Sequence, residues 1–141
     1  MKITAMVAFL TLATAFSSAQ STNAAVVVNL DKAKWTREAK DAPGSESVVL
    51  REDSKTGGLE LLVSYPPGHV FTPHSHESNE RIRLIEGRLA VGQGADQKVL
   101  EPGGYAFLPA REVQRMSCVS KERCRFYVSW DGSPRSRAEG K

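Results

Sequence analysis

The 141-residue sequence is poor in the residues that usually carry chemistry, having only three histidines and two cysteines. It also lacks a sustained helical period of apolar residues with caps, which argues against a helical bundle or an α/β fold. No basic stripe with interleaved aromatics is present. Its arginines sit beside acids (Arg51–Glu52, Glu80–Arg81, Arg111–Glu112), so the formal charge of +3 is not gathered into a nucleic-acid footprint. No Cys-x-x-Cys pair and no internal repeat occur. Outside the first residues, no apolar run approaches the 18 or so residues that a membrane-spanning helix needs.

The apolar run that does exist is N-terminal. Met1-Lys2 is a short positive start, residues 3–16 are an apolar core, and Ser17-Ser18-Ala19 places small residues before Gln20. This pattern reads as a signal peptide over 1–19, cleaved after Ala19, and not as a lasting anchor. The expected product is periplasmic or secreted, with no stable membrane anchor after cleavage. In an oxidising compartment Cys118 and Cys124 are candidates for a disulfide across a hairpin, with two free thiols or a redox pair as alternatives.

What remains is one domain of strands. Residues 20–45 form a lead-in whose β-branched run 26–28 is expected as an edge strand. Strands are then expected over 47–51, 59–65, 70–76, 80–86, 88–92, 98–100, 105–108, 113–119 and 123–130. The separators are turn chemistry such as Thr56-Gly57-Gly58, Pro66-Pro67-Gly68 and Pro102-Gly103-Gly104. Short strands at this spacing give an all-β fold over 46–130, a sandwich or barrel. Residues 131–141, rich in Gly, Ser, Pro and charge, are expected as a flexible tail.

All three histidines fall in one stretch, residues 68–87, reading GHVFTPHSHESNERIRLIEG. In a strand, residues i and i+2 leave the same face roughly 7 Å apart. His74 and His76 therefore present two imidazoles to one side, where both can approach an ion at about 2.1 Å from a ring nitrogen. Glu80 follows as a candidate third ligand. Along 80–86, Glu80, Ile82 and Leu84 share one face, and Arg81 and Arg83 share the other. With Glu80 inward, Ile82 and Leu84 line the interior and the arginines are solvated. Tyr105 and Phe107, also sharing a face, are expected inside with them. His69 is expected as a surface or satisfied residue, and Glu77, out of phase with both ligating histidines, as solvent-facing.

The spacing Gly68, five residues, His74-Ser75-His76, three residues, Glu80, six residues, Gly87 resembles the first motif of the cupins. The resemblance covers about residues 59–130. It implies a single cupin jelly-roll barrel, a double-stranded β-helix, behind the signal peptide. The second cupin motif is partly present. Gly103 and Pro109 hold its places, Arg111 stands at its second glycine, Gln114 at its third histidine ligand and Cys118 at its asparagine.

The resemblance implies a divalent metal cation, Fe(II), Mn, Ni or Zn, on His74, His76 and Glu80, with Gln114 a weak or indirect fourth partner. Two imidazoles and one carboxylate suit the open facial arrangement of non-haem Fe(II) sites and also those other ions. One carboxylate against a divalent ion leaves a positive centre that favours anionic ligands. Two functions stay open. One is an enzyme of oxygenase, isomerase or lyase type acting on a small oxygen-rich or carboxylate-bearing molecule. The other is a non-catalytic module that binds or senses a small molecule or a metal. For the enzyme, Glu77, Tyr105 or metal-bound hydroxide are the candidate bases. A homodimer, formed through the outer sheets or by strand addition at 26–28, is a further expectation by analogy.

Overall fold

The computed structural model describes residues 25–37 and 42–139, so the expected signal segment and its cleavage position lie outside the described residues. After a 3-10 turn at Leu30–Lys32, eleven strands follow. They are β1 (Thr36–Arg37), β2 (Glu46–Glu52), β3 (Leu59–Tyr65), β4 (His74–His76), β5 (Glu80–Glu86), β6 (Leu89–Gln93), β7 (Asp96–Leu100), β8 (Tyr105–Leu108), β9 (Gln114–Cys118), β10 (Cys124–Trp130) and β11 (Ser136–Ala138). No α-helix occurs among the described residues.

Two antiparallel sheets face one another, one ordered β1-β2-β3-β10-β5-β8 and the other β11-β4-β9-β6-β7. Sequential strands cross repeatedly from sheet to sheet, which is the jelly-roll solution to a chain of short strands with one apolar face each. The core between them holds Val63, Ile82, Leu84, Leu89, Val91, Leu108, Met116, Phe126 and Val128. Each such side chain contributes about 1.5–3 kcal/mol by leaving water.

Strand β5 shows the expected alternation: Glu80, Ile82 and Leu84 are buried, while Arg81 and Arg83 lie outward. Its turn into β6 requires glycine. Gly87 sits at φ +80°, and a β-carbon there would stand 2.5 Å from the Arg123 carbonyl oxygen. The conformation and the close approach each exclude a side chain.

Several sequence expectations change. Residues 26–28 form no strand; Val26, Val27 and Val28 are exposed, and the edge position belongs to Thr36–Arg37, which pairs with β2. β-branched composition marks residues that fit a sheet but supplies no partner strand. The expected strand 70–76 is interrupted around Pro73: Val70 makes one isolated bridge to Ser117, and regular pairing starts at His74. Proline lacks the N–H that a ladder needs.

The expected tail is also partly strand. Ser136–Ala138 pairs with β4, Ser136 opposite His76 and Ala138 opposite His74. This Ser-Arg-Ala segment covers the edge of β4, so its pairing is set by that edge and not by its own composition.

Cys118 and Cys124 form a disulfide with a Cα–Cα separation of 5.7 Å. It does not cross a hairpin. Cys118 ends β9 in one sheet and Cys124 begins β10 in the other, so the bond ties the two layers at a buried corner.

Candidate metal centre

Four side chains from three strands meet at one end of the barrel. β4 supplies His74 and His76, β5 supplies Glu80, and β9 supplies Gln114, whose backbone lies directly opposite His74 in the β4–β9 pair. The two rings have centroids 4.9 Å apart and stand nearly perpendicular, at 87°. Glu80 and Gln114 are only 3% and 2% exposed.

Both imidazoles are fixed from behind. His74 Nδ1 lies 2.7 Å from the Thr72 carbonyl oxygen, and His76 Nδ1 lies 2.6 Å from that of Pro134. A carbonyl oxygen only accepts, so each Nδ1 carries the hydrogen and each Nε2 keeps a bare lone pair. A backbone carbonyl in this position is the usual orienting partner of a metal-ligating histidine. Burial, foremost, and then the neighbouring His74 hold the His76 ring below the ordinary histidine pKa, against the opposing pull of the Pro134 carbonyl. The neutral ring is the one able to ligate.

The inward atoms form a chain. Gln114 Nε2 donates to His74 Nε2 at 3.1 Å and also to Glu80 Oε2. The same Glu80 oxygen stands 3.4 Å from His76 Nε2. That last contact sets an imidazole lone pair against a carboxylate lone pair, and only a shared proton or a cation reconciles them. Burial pushes the Glu80 carboxyl up to about 7, partly opposed by the Gln114 amide.

Among the described residues, no group of three or more His, Cys, Asp or Glu side chains stands ready-made to hold an ion. The Gln114 amide is placed between His74 and Glu80 and bonds both. The donor chemistry nevertheless fits a divalent cation. Two unprotonated Nε2 atoms, that of His74 accepting from Gln114, converge with one buried carboxyl group, and the remaining partner is an amide whose other end is a carbonyl oxygen.

A cleft of about 710 Å³ lies beside the site and is lined by His76 but not by His74, Glu80 or Gln114. Arg111, Arg137, Ser75, Glu77 and Ser133 line it as well. The turn carrying Arg111 is pinned to the histidine segment: Arg111 N–H donates to the His76 carbonyl at 2.8 Å, and Ala110 N–H donates to Asn79 Oδ1 at 3.0 Å. Arg111 has φ +67°, the one side-chain-bearing residue in the left-handed region among the described residues. Such a conformation costs roughly 1–2 kcal/mol outside glycine.

Not every residue expected at the site is there. Ile82 and Leu84, 0% and 1% exposed, are packed in the core and do not line the cleft. Tyr105 and Phe107 face outward, 50% and 47% exposed. Their cross-strand partners are Arg83 and Arg81, whose guanidinium groups stack over the two rings, and the inward phase of β8 belongs to Ala106 and Leu108. Directly opposed residues share a face, so pairing with the outward arginines decides the matter. His69 stacks on Tyr65 and meets Phe71 edge-on, apart from the centre.

Not foreseen from the sequence are Pro134, in the loop after β10, and β11 with its Arg137. A weak signal existed in the Gly132-Ser133-Pro134 turn that follows β10.

Comparison with known proteins agrees with the fold. The ChrR cupin-like domain family matches residues 23–131. The chain belongs to that family. Solved structures similar to this ChrR cupin-like domain include a putative acetylacetone dioxygenase from Methylibium petroleiphilum PM1. It is 20% identical with a TM-score of 0.66, over 80% of this chain and 81% of that one. The polyketide cyclase RemF from Streptomyces resistomycificus is 22% identical with a TM-score of 0.62, over 84% and 87%. KdgF from Halomonas sp. is 18% identical with a TM-score of 0.61, over 81% and 96%. At these identities the shared property is the cupin barrel. No curated protein sequence matches the chain significantly.

Proposed function

We propose that this cupin is an exported divalent-metal-binding protein that takes a small carboxylate-bearing molecule at His74, His76 and Glu80. The observation that carries the reading is the pair of Nε2 lone pairs, each set by a carbonyl behind its ring, converging with a buried carboxyl group. Export rests on the apolar leader with small residues before Gln20. A divalent ion at such a site supplies Lewis-acid or O₂-activating chemistry of the oxygenase, isomerase or lyase kind. The chain's own part is to hold the donors. Thr72 and Pro134 fix the ring planes, Glu80 offsets charge, and Gln114 offers whichever end of its amide the occupant requires.

One observation favours a second use of the same centre, as a binding or sensing module without turnover. Of the side chains named as candidate bases, Tyr105 faces outward with Arg83, and Glu77 is engaged by Arg135 at 3.6 Å. Neither offers a general base at the histidines.

The test is metal analysis of the mature protein purified from its own compartment without chelator, beside His74→Ala. Near-stoichiometric metal that falls in the variant supports the centre. Protein without metal, and a variant unchanged in both metal content and thermal stability, refutes it. Metal-dependent turnover or O₂ consumption with a panel of small carboxylates supports the enzyme; tight binding without turnover supports the module.

A further inference from the structure

Two arginines at the cleft are unlike most others in the protein. Arg51, Arg81, Arg88, Arg115, Arg125 and Arg135 each pair with an acid. Arg111 and Arg137 line the cleft beside His76, and neither makes an ion pair among the described residues. They come from separate places, Arg111 from the turn before β9 and Arg137 from β11, where it lies opposite Ser75. Their shared surroundings are the cleft alone.

Arg111 holds its position in a backbone conformation that residues with side chains rarely adopt. Strain retained beside a candidate site points to a use for the side chain there. The acid in the cleft, Glu77, engages Arg135, which leaves the two guanidinium groups in excess of positive charge.

We propose that Arg111 and Arg137 form an anion clamp that seats the carboxylate of a small organic acid beside His76. The clamp is separate from the metal centre: of the four residues there only His76 lines the cleft, and Arg137, opposite Ser75 in the β4–β11 pair, shares the face turned away from both imidazoles. A guanidinium matches a carboxylate through two parallel N–H···O bonds, so a pair of them recognises shape as well as charge.

The test is an NMR titration of the mature chain at constant ionic strength with lactate, inorganic phosphate and uncharged lactamide, in chelator-treated and zinc-loaded samples. Lactate is expected to shift amide resonances around 75–78, 111 and 137, while lactamide does not. Arg111→Gln and Arg137→Gln are each expected to weaken lactate binding at least tenfold. Arg83→Gln, on the outer sheet face, leaves it unchanged. Arg111→Gly, which suits the left-handed backbone, keeps the fold and a melting temperature at or above the wild type while losing lactate binding.

Zinc binding with no lactate response, or a response untouched by either cleft substitution, overturns the clamp and leaves the metal centre standing. Phosphate binding as tightly as lactate overturns the carboxylate assignment. Arginine-dependent lactate binding in a protein that takes up no zinc upholds the clamp and refutes the metal centre instead.

Discussion

Replacing Glu80 with glutamine should stabilise the metal-free protein at alkaline pH and leave it unchanged in acid. Glu80 is buried, and its carboxyl is pushed from 4.5 to about 7. A carboxyl whose folded pKa lies above its unfolded value favours folding when protonated. The favourable contribution is complete below pH 4.5 and is lost as pH rises through 7. At about 1.4 kcal/mol per pH unit the loss reaches roughly 3 kcal/mol by pH 8. Glutamine has the same shape and no charge. Its carbonyl can accept from Gln114, and its amide can donate across the 3.4 Å gap to His76 Nε2.

Urea unfolding of both proteins with chelator, from pH 4.5 to 8.5, reads this directly. The difference between them should grow from near zero to about 3 kcal/mol, a midpoint shift of roughly 1–3 M. Titrating groups away from the centre are common to both proteins and cancel, so the difference reads Glu80 together with His76, which stands 3.4 Å from it. A divalent ion at a hundredfold excess over its Kd should then raise the wild type by about 2.7 kcal/mol and the variant far less. A difference that is flat with pH would refute the picture of a buried carboxyl without its cation.

Removing residues 133–141 takes away the Pro134 carbonyl behind His76 and the strand over β4, so metal affinity should fall about 10–100-fold by calorimetric titration. Gln114→Leu strips the hydrogen bonds from His74 Nε2 and Glu80 and should cost about 2–3 kcal/mol in denaturant unfolding at pH 8. Replacing both Cys118 and Cys124 with serine should cost about 2 kcal/mol, read from unfolding under non-reducing conditions, since the bond closes a short loop between the sheets.

Local periodicity made the barrel walls legible. Strands 59–65, 80–86 and 105–108 fall where alternation and glycine turns put them, because register and turn chemistry are properties of adjacent residues. The alternation in β5 also told which way Glu80 faces. What stayed hidden depends on partners distant in sequence. The inward phase of β8 follows from pairing with β5, and tyrosine and phenylalanine read as core until Arg81 and Arg83 are seen above them. Similarly, Ser136–Ala138 has no strand character of its own. Its pairing becomes visible only when β4 is known to be an open edge 60 residues earlier, as the register of Ser136 with His76 shows.

Two of the three departures from the second cupin motif concern different physical jobs, and the structure separates them. At the glycine position the backbone keeps its left-handed turn with an arginine in it, so the turn's geometry survives and a cation has been added to the cleft. At the third-histidine position the amide of Gln114 closes the centre by bonding both His74 and Glu80. Any ion that takes those donors must first displace two hydrogen bonds, at about 1 kcal/mol net each. That lowers its affinity by roughly 30-fold relative to a site held open. The same amide prevents His74 and Glu80 from standing unpartnered when the ion leaves. One amide nitrogen with two hydrogens donates to both partners at once, which the single N–H of a neutral imidazole would not achieve.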